Sequence, residues 1–176
     1  MLEQLQMVDS VQSQIVECEK QLEVILYPNA ERDFLKTLPC VGRILSAVIA
    51  LEIGDVRRFG EAKHLVSYAG LVPSARESAE RKRQGRCPRD CNVYLKWALV
   101  EAANLIASKQ KIWPERHAVK LYQRVKQNTK MHGKAAMAVA RHLAEASYWI
   151  LTKQEVYREP KSKAASSFVD ARVNAN

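Results

Sequence analysis

Apolar residues recur at helical spacing along most of the chain, and an alternation of period two persists nowhere, so a mainly α protein is predicted. The first 26 residues contain neither glycine nor proline. Within them Val8, Ile15 and Leu22 fall at one heptad position, and Val11, Cys18 and Ile25 fall three residues later. That narrow seam, with largely polar residues on the other faces, is the pattern of a coiled coil. At 1.5 Å per residue such a helix is about 39 Å long. The expectation is a coiled-coil helix over residues 1–27 and a homodimer or higher oligomer built on it. Tyr27-Pro28-Asn29 ends it, and Asn29 is placed to cap the next helix.

The run from Thr37 to Arg43, followed by the apolar stretch Ile44 to Leu51 and by Gly54, predicts a helix-hairpin-helix-like segment. In such a turn the backbone N–H groups at a helix start can approach a phosphate where no side chain intervenes. Val41, Gly42 and Arg43 are therefore candidate nucleic-acid contacts, although the same segment also reads as a plain turn in a helical core. Asp55 to Phe59 is a linker and Glu61 to Tyr68 a short helix, stopped by Gly70 in a left-handed cap and by Pro73. Residues 74–91 show no periodicity and are expected to form a long loop.

Order returns with Asp90 or Asn92 as a cap and a helix through Leu95, Leu99, Ala102, Ala103 and Ile106. After a break at Trp113-Pro114, a basic helix from Glu115 to Gln127 carries Arg116, Lys120, Arg124 and Lys126. Residues 128–133 turn, and a last helix from Lys134 to Thr152 presents Val139, His142, Leu143, Ala146 and Trp149 at helical spacing. His142 on that face reads as a core histidine. The helical domain is thus expected over residues 30–154, with a structureless tail over 155–176.

Charge narrows the partner. The chain carries 28 Lys and Arg against 19 Asp and Glu, a net +9, while residues 1–26 are acidic. The positive charge sits in two blocks, around residues 76–96 and 109–134. A polyanion is the expected partner, and without lipidation motifs or basic helices with aromatic anchors it is nucleic acid rather than a membrane. No apolar run reaches transmembrane length and no signal peptide is visible, so a cytoplasmic location is expected. Cys18, Cys40, Cys87 and Cys91 have neither a disulfide framework's context nor a second ligand pair at zinc spacing. No metal site is expected in this chain.

Several separated motifs then fall in one order: Thr37-Leu38-Pro39 with Val41-Gly42, Glu52-Ile53-Gly54-Asp55, Arg58-Phe59, and Tyr68-Ala69-Gly70-Leu71-Val72-Pro73. They continue through Ser78, Gly85-Arg86, Asn92, Tyr94 to Ala98, Glu101 to Asn104, Leu121-Tyr122, Ala138 to Ala146 and Tyr157 to Pro160. Over roughly residues 34–160 this resembles the carboxy-terminal domain of the DEDD-type, RNA-guided insertion-sequence transposases, the group that includes the pilin-gene-inverting recombinases. The resemblance implies a larger protein with an RuvC-like domain bearing four metal-binding acids, a coiled coil and this domain, of which the present chain would be a truncated part. It further implies a DNA substrate, a guide RNA, and a serine nucleophile aligned with Ser78. Magnesium is expected only with the RuvC-like domain.

Around Ser78 the sequence supplies Arg76, Arg81, Lys82, Arg83, Arg86 and Arg89, and residues 76–96 carry seven basic and three acidic side chains. Guanidinium groups can hold non-bridging phosphate oxygens and offset charge that builds in a transition state. Together with Asn92 these cations are the expected nucleic-acid contacts. Three departures from the family pattern are plain: Ala79 and Glu80 follow the serine where glycine is usual, Cys40 replaces a hairpin glycine, and the four-acid domain is absent from the sequence. Three function classes stand side by side: a recombinase part using Ser78, a non-catalytic nucleic-acid-binding module with coiled-coil dimerisation, and a coiled-coil assembly protein.

Overall fold

The structure is a computed structural model that describes residues 2–26, 30–72, 75–78, 81–84 and 90–160 of the 176. It divides into two compact units, residues 1–30 and 31–176.

The first unit holds helix α1, Leu2–Leu26, as its lack of helix breakers predicts. Val8, Val11, Ile15 and Leu22 of the expected seam are all exposed, as is Cys18. A helix of this length gains little stability from propensity alone, and the expected coiled-coil partner would bury its apolar stripe. Deleting residues 1–26 is expected to convert a self-associating chain into a folded monomer. Equilibrium sedimentation checks this, and a full-length chain already monomeric at high micromolar concentration would contradict the coiled coil.

The second unit contains α2 (Ala30–Leu35, which begins at the boundary), α3 (Arg43–Ile53), a 3-10 turn (Val56–Arg58), α4 (Ala62–Tyr68), and strands β1 (Ala75–Ser78) and β2 (Arg81–Gln84). Helices α5 (Val93–Ser108), α6 (His117–Thr129) and α7 (His132–Lys153) complete it. Helix α7 is the centre, packing on α4, α5 and α6, while α3 packs on α5. The cause is a stripe of small residues: α7 buries Ala135, Ala136, Val139, Ala140, Leu143, Ala144 and Ser147, and α5 buries Ala98, Ala102, Ala103 and Ala107. Side chains this short let helix axes approach closely on several sides. Leu35, Ile49, Ile53, Leu65, Leu95, Leu99 and Ile106 fill the remaining core at essentially zero exposure. Among the described residues no helix is long and apolar enough to cross a membrane.

Three expectations change. Residues 74–91 are not wholly loop, because β1 and β2 pair antiparallel as a short ribbon. Its sequence has no alternation of apolar and polar residues, so the ordinary sign of a strand is missing. The last helix begins at His132 rather than Lys134, with Gly133 inside its first turn. The tail is ordered at its start: the backbone N–H of Tyr157 donates to Thr37 Oγ1 at 2.8 Å, and Glu159 accepts from the His117 N–H at 3.3 Å. Residues 161–176 and the proposed cap Asn29 lie outside the described residues.

His142 is a half-buried core residue, its Nε2 sharing a 3.2 Å hydrogen bond with the Tyr157 hydroxyl and its ring 4.9 Å from that of His117. Burial, then the neighbouring His117, pushes His142 below its ordinary value of 6.5. The folded state thus binds fewer protons than the unfolded one, so this contribution to stability is present above about pH 6.5 and is lost as pH falls below it. The thermal midpoint should decline from pH 7 to pH 5 in the natural chain and less steeply in His142→Gln. Parallel profiles of the two chains would contradict that assignment.

Candidate functional site

The segment carrying Ser78 leaves the helical core after Leu71 and returns at Asn92, and both ends are held. Helix α4 stops at Ala69-Gly70, with Gly70 in the left-handed region at φ +63° and its N–H bonded to the Ser67 carbonyl at 2.8 Å. A Cβ at Gly70 would lie 2.6 Å from both Cβ and Sγ of Cys91, so the two ends of the segment pass close to each other there. The Asn92 N–H donates to the Tyr68 carbonyl at 2.9 Å.

Asn92 is the hub of this closure. Its Oδ1 accepts from the Leu95 N–H at 2.8 Å and caps α5, as an N-cap asparagine should. Its Nδ2 donates to Glu52 Oε2 at 2.6 Å and to the Tyr68 hydroxyl at 2.9 Å. Arg58 donates to the Glu52 carbonyl at 3.0 Å and stacks over both Phe59 and Tyr68, 4.6 and 4.7 Å from the ring centres. Hydrogen bonds from Asn92 first, and from Arg58 next, hold the Tyr68 phenol below its ordinary range. Opposite, Arg141 of α7 donates to the Leu71 carbonyl at 3.2 Å, at the last residues before the segment departs. Four residues from four separate motifs, Glu52, Arg58, Tyr68 and Asn92, thus meet at one place. No local sequence signal announces that meeting, since Glu52 and Asn92 stand 40 residues apart.

The ribbon pairs Ala75 with Gln84, Arg76 with Arg83, Glu77 with Lys82 and Ser78 with Arg81. Strand pleating puts directly paired residues on the same face and successive ones on opposite faces. Positions 76, 78, 81 and 83 therefore share one face, and 75, 77, 82 and 84 the other. Like charges directly paired, as at 76 and 83, oppose pairing unless an anion lies near them. Ala79, Glu80, Arg86, Cys87 and Arg89 lie outside the described residues.

The other expected nucleic-acid residues divide. Val41 is buried, its N–H bonded to the Leu38 carbonyl at 3.2 Å. Gly42 is the exposed N-cap of α3 at φ −87°, and a Cβ there would meet nothing within 4 Å. Its backbone is open, and its angles demand no glycine. Arg43 opens α3 and is exposed. Cys40, standing for the family's hairpin glycine, takes the left-handed conformation at φ 60°, where a side chain is strained. Burial raises its thiol above the ordinary value. Asn92 has its side-chain amide committed to protein partners. Among the described residues no three His, Cys, Asp or Glu side chains are grouped to hold a metal ion.

Residues 32–118, which include the ribbon and its closure, match the family described as Transposase IS116/IS110/IS902. The chain is 23% identical over 140 residues to the transposase for insertion sequence element IS1111A of Coxiella burnetii, covering 80% of this chain and 38% of that protein. It is 34% identical over 85 residues to an uncharacterized 43.6 kDa protein of insertion element IS110 in Streptomyces coelicolor, covering 48% of this chain and 21% of the relative. A putative transposase of Sinorhizobium fredii is 26% identical over 133 residues, 76% of this chain and 34% of its own length. The chain spans about a fifth to two fifths of the length of these relatives.

Proposed function

We propose that this chain is the carboxy-terminal part of a DEDD-type insertion-sequence transposase, and that Ser78 is the nucleophile that attacks a DNA phosphodiester. The observation that supports the reading is the ribbon register, in which position 78 pairs with 81 and position 76 with 83, so that these four positions share one face. A serine hydroxyl is a weak nucleophile and needs its developing charge stabilised. In the proposed step Ser78 Oγ forms a bond to phosphorus, a bond from phosphorus to a deoxyribose oxygen breaks, and the hydroxyl proton passes to that departing oxygen through solvent. The arginines hold the non-bridging oxygens, and the closure at Asn92 fixes the base of the ribbon. Carboxylates for a metal would come from an RuvC-like domain, and a guide RNA from the element would choose the sites. Chains of this kind would assemble through the seam of α1.

A second reading, a non-catalytic nucleic-acid-binding module, is favoured by Ala79 and Glu80 directly after the serine, because a carboxylate beside a phosphate is repulsive. Both readings predict electrostatic, largely sequence-independent binding. Replacing Arg81, Lys82, Arg83 and Arg86 together with alanine should weaken DNA binding. It should also flatten the salt dependence of log K by about 0.9 for each phosphate no longer neutralised. Fluorescence anisotropy over a salt series measures both, and unchanged affinity and slope would remove the ribbon from the interface.

A further inference from the structure

The family match ends at residue 118, yet much of the second block of positive charge lies beyond it on α6 and α7. From Arg116 to Ala144 the chain has seven Lys and Arg and no Asp or Glu. Three of the seven are engaged: Arg116 pairs with Glu159 at 3.5 Å, Lys120 pairs with Glu115 at 2.7 Å, and Arg141 binds the Leu71 carbonyl. The other four, Arg124, Lys126, Lys130 and Lys134, are exposed, and none has a carboxylate partner among the described residues. Among the described residues the Lys126 ammonium lies over the Tyr122 ring, 5.6 Å away.

Their setting is rigid. Lys130 ends α6 in the left-handed conformation, its N–H bonded to the Lys126 carbonyl at 2.8 Å, and α7 starts at His132. The Tyr122 hydroxyl and His132 Nδ1 share a 2.8 Å hydrogen bond across the connection. Lys126, Lys130 and Lys134 therefore sit within about a turn of the same tight α6–α7 corner. Lys134 also lies in the first turn of α7, where a cation opposes the helix dipole and no acidic residue offsets it. A corner that breaks this local rule without internal compensation calls for an external anion.

The corner also lies on the helix that holds the foot of the Ser78 segment. Lys134 and Arg141 are seven residues apart, on one face of α7, hence about 10 Å along its axis. Arg141 touches the carbonyl of Leu71, where the Ser78 segment departs. Ten ångströms of duplex is about three base pairs.

We propose that Arg124, Lys126, Lys130 and Lys134 form a second backbone-binding surface, which holds the duplex DNA flanking the phosphate presented to Ser78. This rests on the reading that the chain acts on DNA. The test compares four full-length chains by anisotropy with a duplex DNA, over salt from about 0.05 to 0.3 M: natural; Arg124→Gln, Lys126→Gln, Lys130→Gln and Lys134→Gln together; Lys120→Gln; and the ribbon variant. The corner variant should bind at least tenfold more weakly and show a salt slope shallower by about 2.7 to 3.6, the change expected when three or four phosphates go unneutralised. Lys120→Gln, whose charge is already paired, should match the natural chain. If the corner variant binds duplex DNA unchanged while the ribbon variant does not bind, the DNA reading stands and this surface is wrong. If the corner variant loses affinity only for single-stranded RNA, the surface belongs to RNA and the proposal is overturned. A natural chain that fails to bind any duplex overturns both.

Discussion

In a reaction assembled from this chain, an intact RuvC-like domain supplied in trans, the element's RNA and magnesium, Ser78→Ala is expected to abolish strand exchange. The loss should be at least about a thousandfold, because a nucleophile has no substitute in its own step. DNA binding should persist, since one hydroxyl adds little to an interface dominated by cations. The ribbon register makes a finer prediction. Arg81→Ala and Arg83→Ala, on the face of Ser78, should each reduce strand exchange about tenfold more than Lys82→Ala, on the opposite face. Equal effects of the three would show that only summed charge matters. Ala79→Gly with Glu80→Gly should raise the reaction above that of the natural chain, by relieving backbone restriction and removing a carboxylate from the phosphate's surroundings.

The second large effect falls on stability. Asn92→Ala removes the α5 cap, at about 1 kcal/mol, and leaves the half-buried Glu52 carboxylate and the Tyr68 hydroxyl without a shared donor, at about 1–3 kcal/mol more. A fall of about 5–10 °C in thermal midpoint is expected. Asn92→Asp keeps an acceptor for the Leu95 N–H but loses both donors and sets a second carboxylate against Glu52. It should be no more stable than the alanine variant, and a fully stable aspartate variant would mean the bonds to Glu52 and Tyr68 contribute nothing. Gly70→Ala attacks the same closure from the other side. Its φ of +63° and the 2.6 Å approach to Cys91 predict a loss of about 2 kcal/mol or more, eased by Cys91→Gly in the same chain.

What could be read from the sequence follows from the range of the forces involved. Helices α1, α3, α4 and α5 are legible because their apolar periodicity and their stops at Gly54 and Gly70 are local. The Asn92 cap is legible for the same reason. The ribbon is not, since strands without an apolar face carry no alternating pattern. The closure is legible only in part: the resemblance names Glu52, Arg58, Tyr68 and Asn92, but hydrogen bonds across 24 and 40 residues have no local signature. The bond from Tyr157 to Thr37, 120 residues away, likewise fixes the start of an apparent tail against the helical unit. Charge counting reads α6 as a basic helix carrying Arg116, Lys120, Arg124 and Lys126, but it does not show that Glu159 and Glu115 pair with the first two while Arg124 and Lys126 have no carboxylate partner among the described residues.

The central claim is that Ser78 forms a bond to DNA, and trapping that bond tests it most directly. The assembled reaction is stopped in denaturant, the DNA trimmed by nuclease, and the protein digested with trypsin for mass analysis. Cleavage after Lys63, Arg76 and Arg81 puts Ser78 in the peptide of residues 77–81, where it is the sole hydroxyl, and Ser67, Tyr68 and Ser74 in the peptide of residues 64–76. A nucleotide mass on residues 77–81, absent in Ser78→Ala, is the predicted result. The same mass on residues 64–76, or strand exchange by the Ser78→Ala chain, would contradict it.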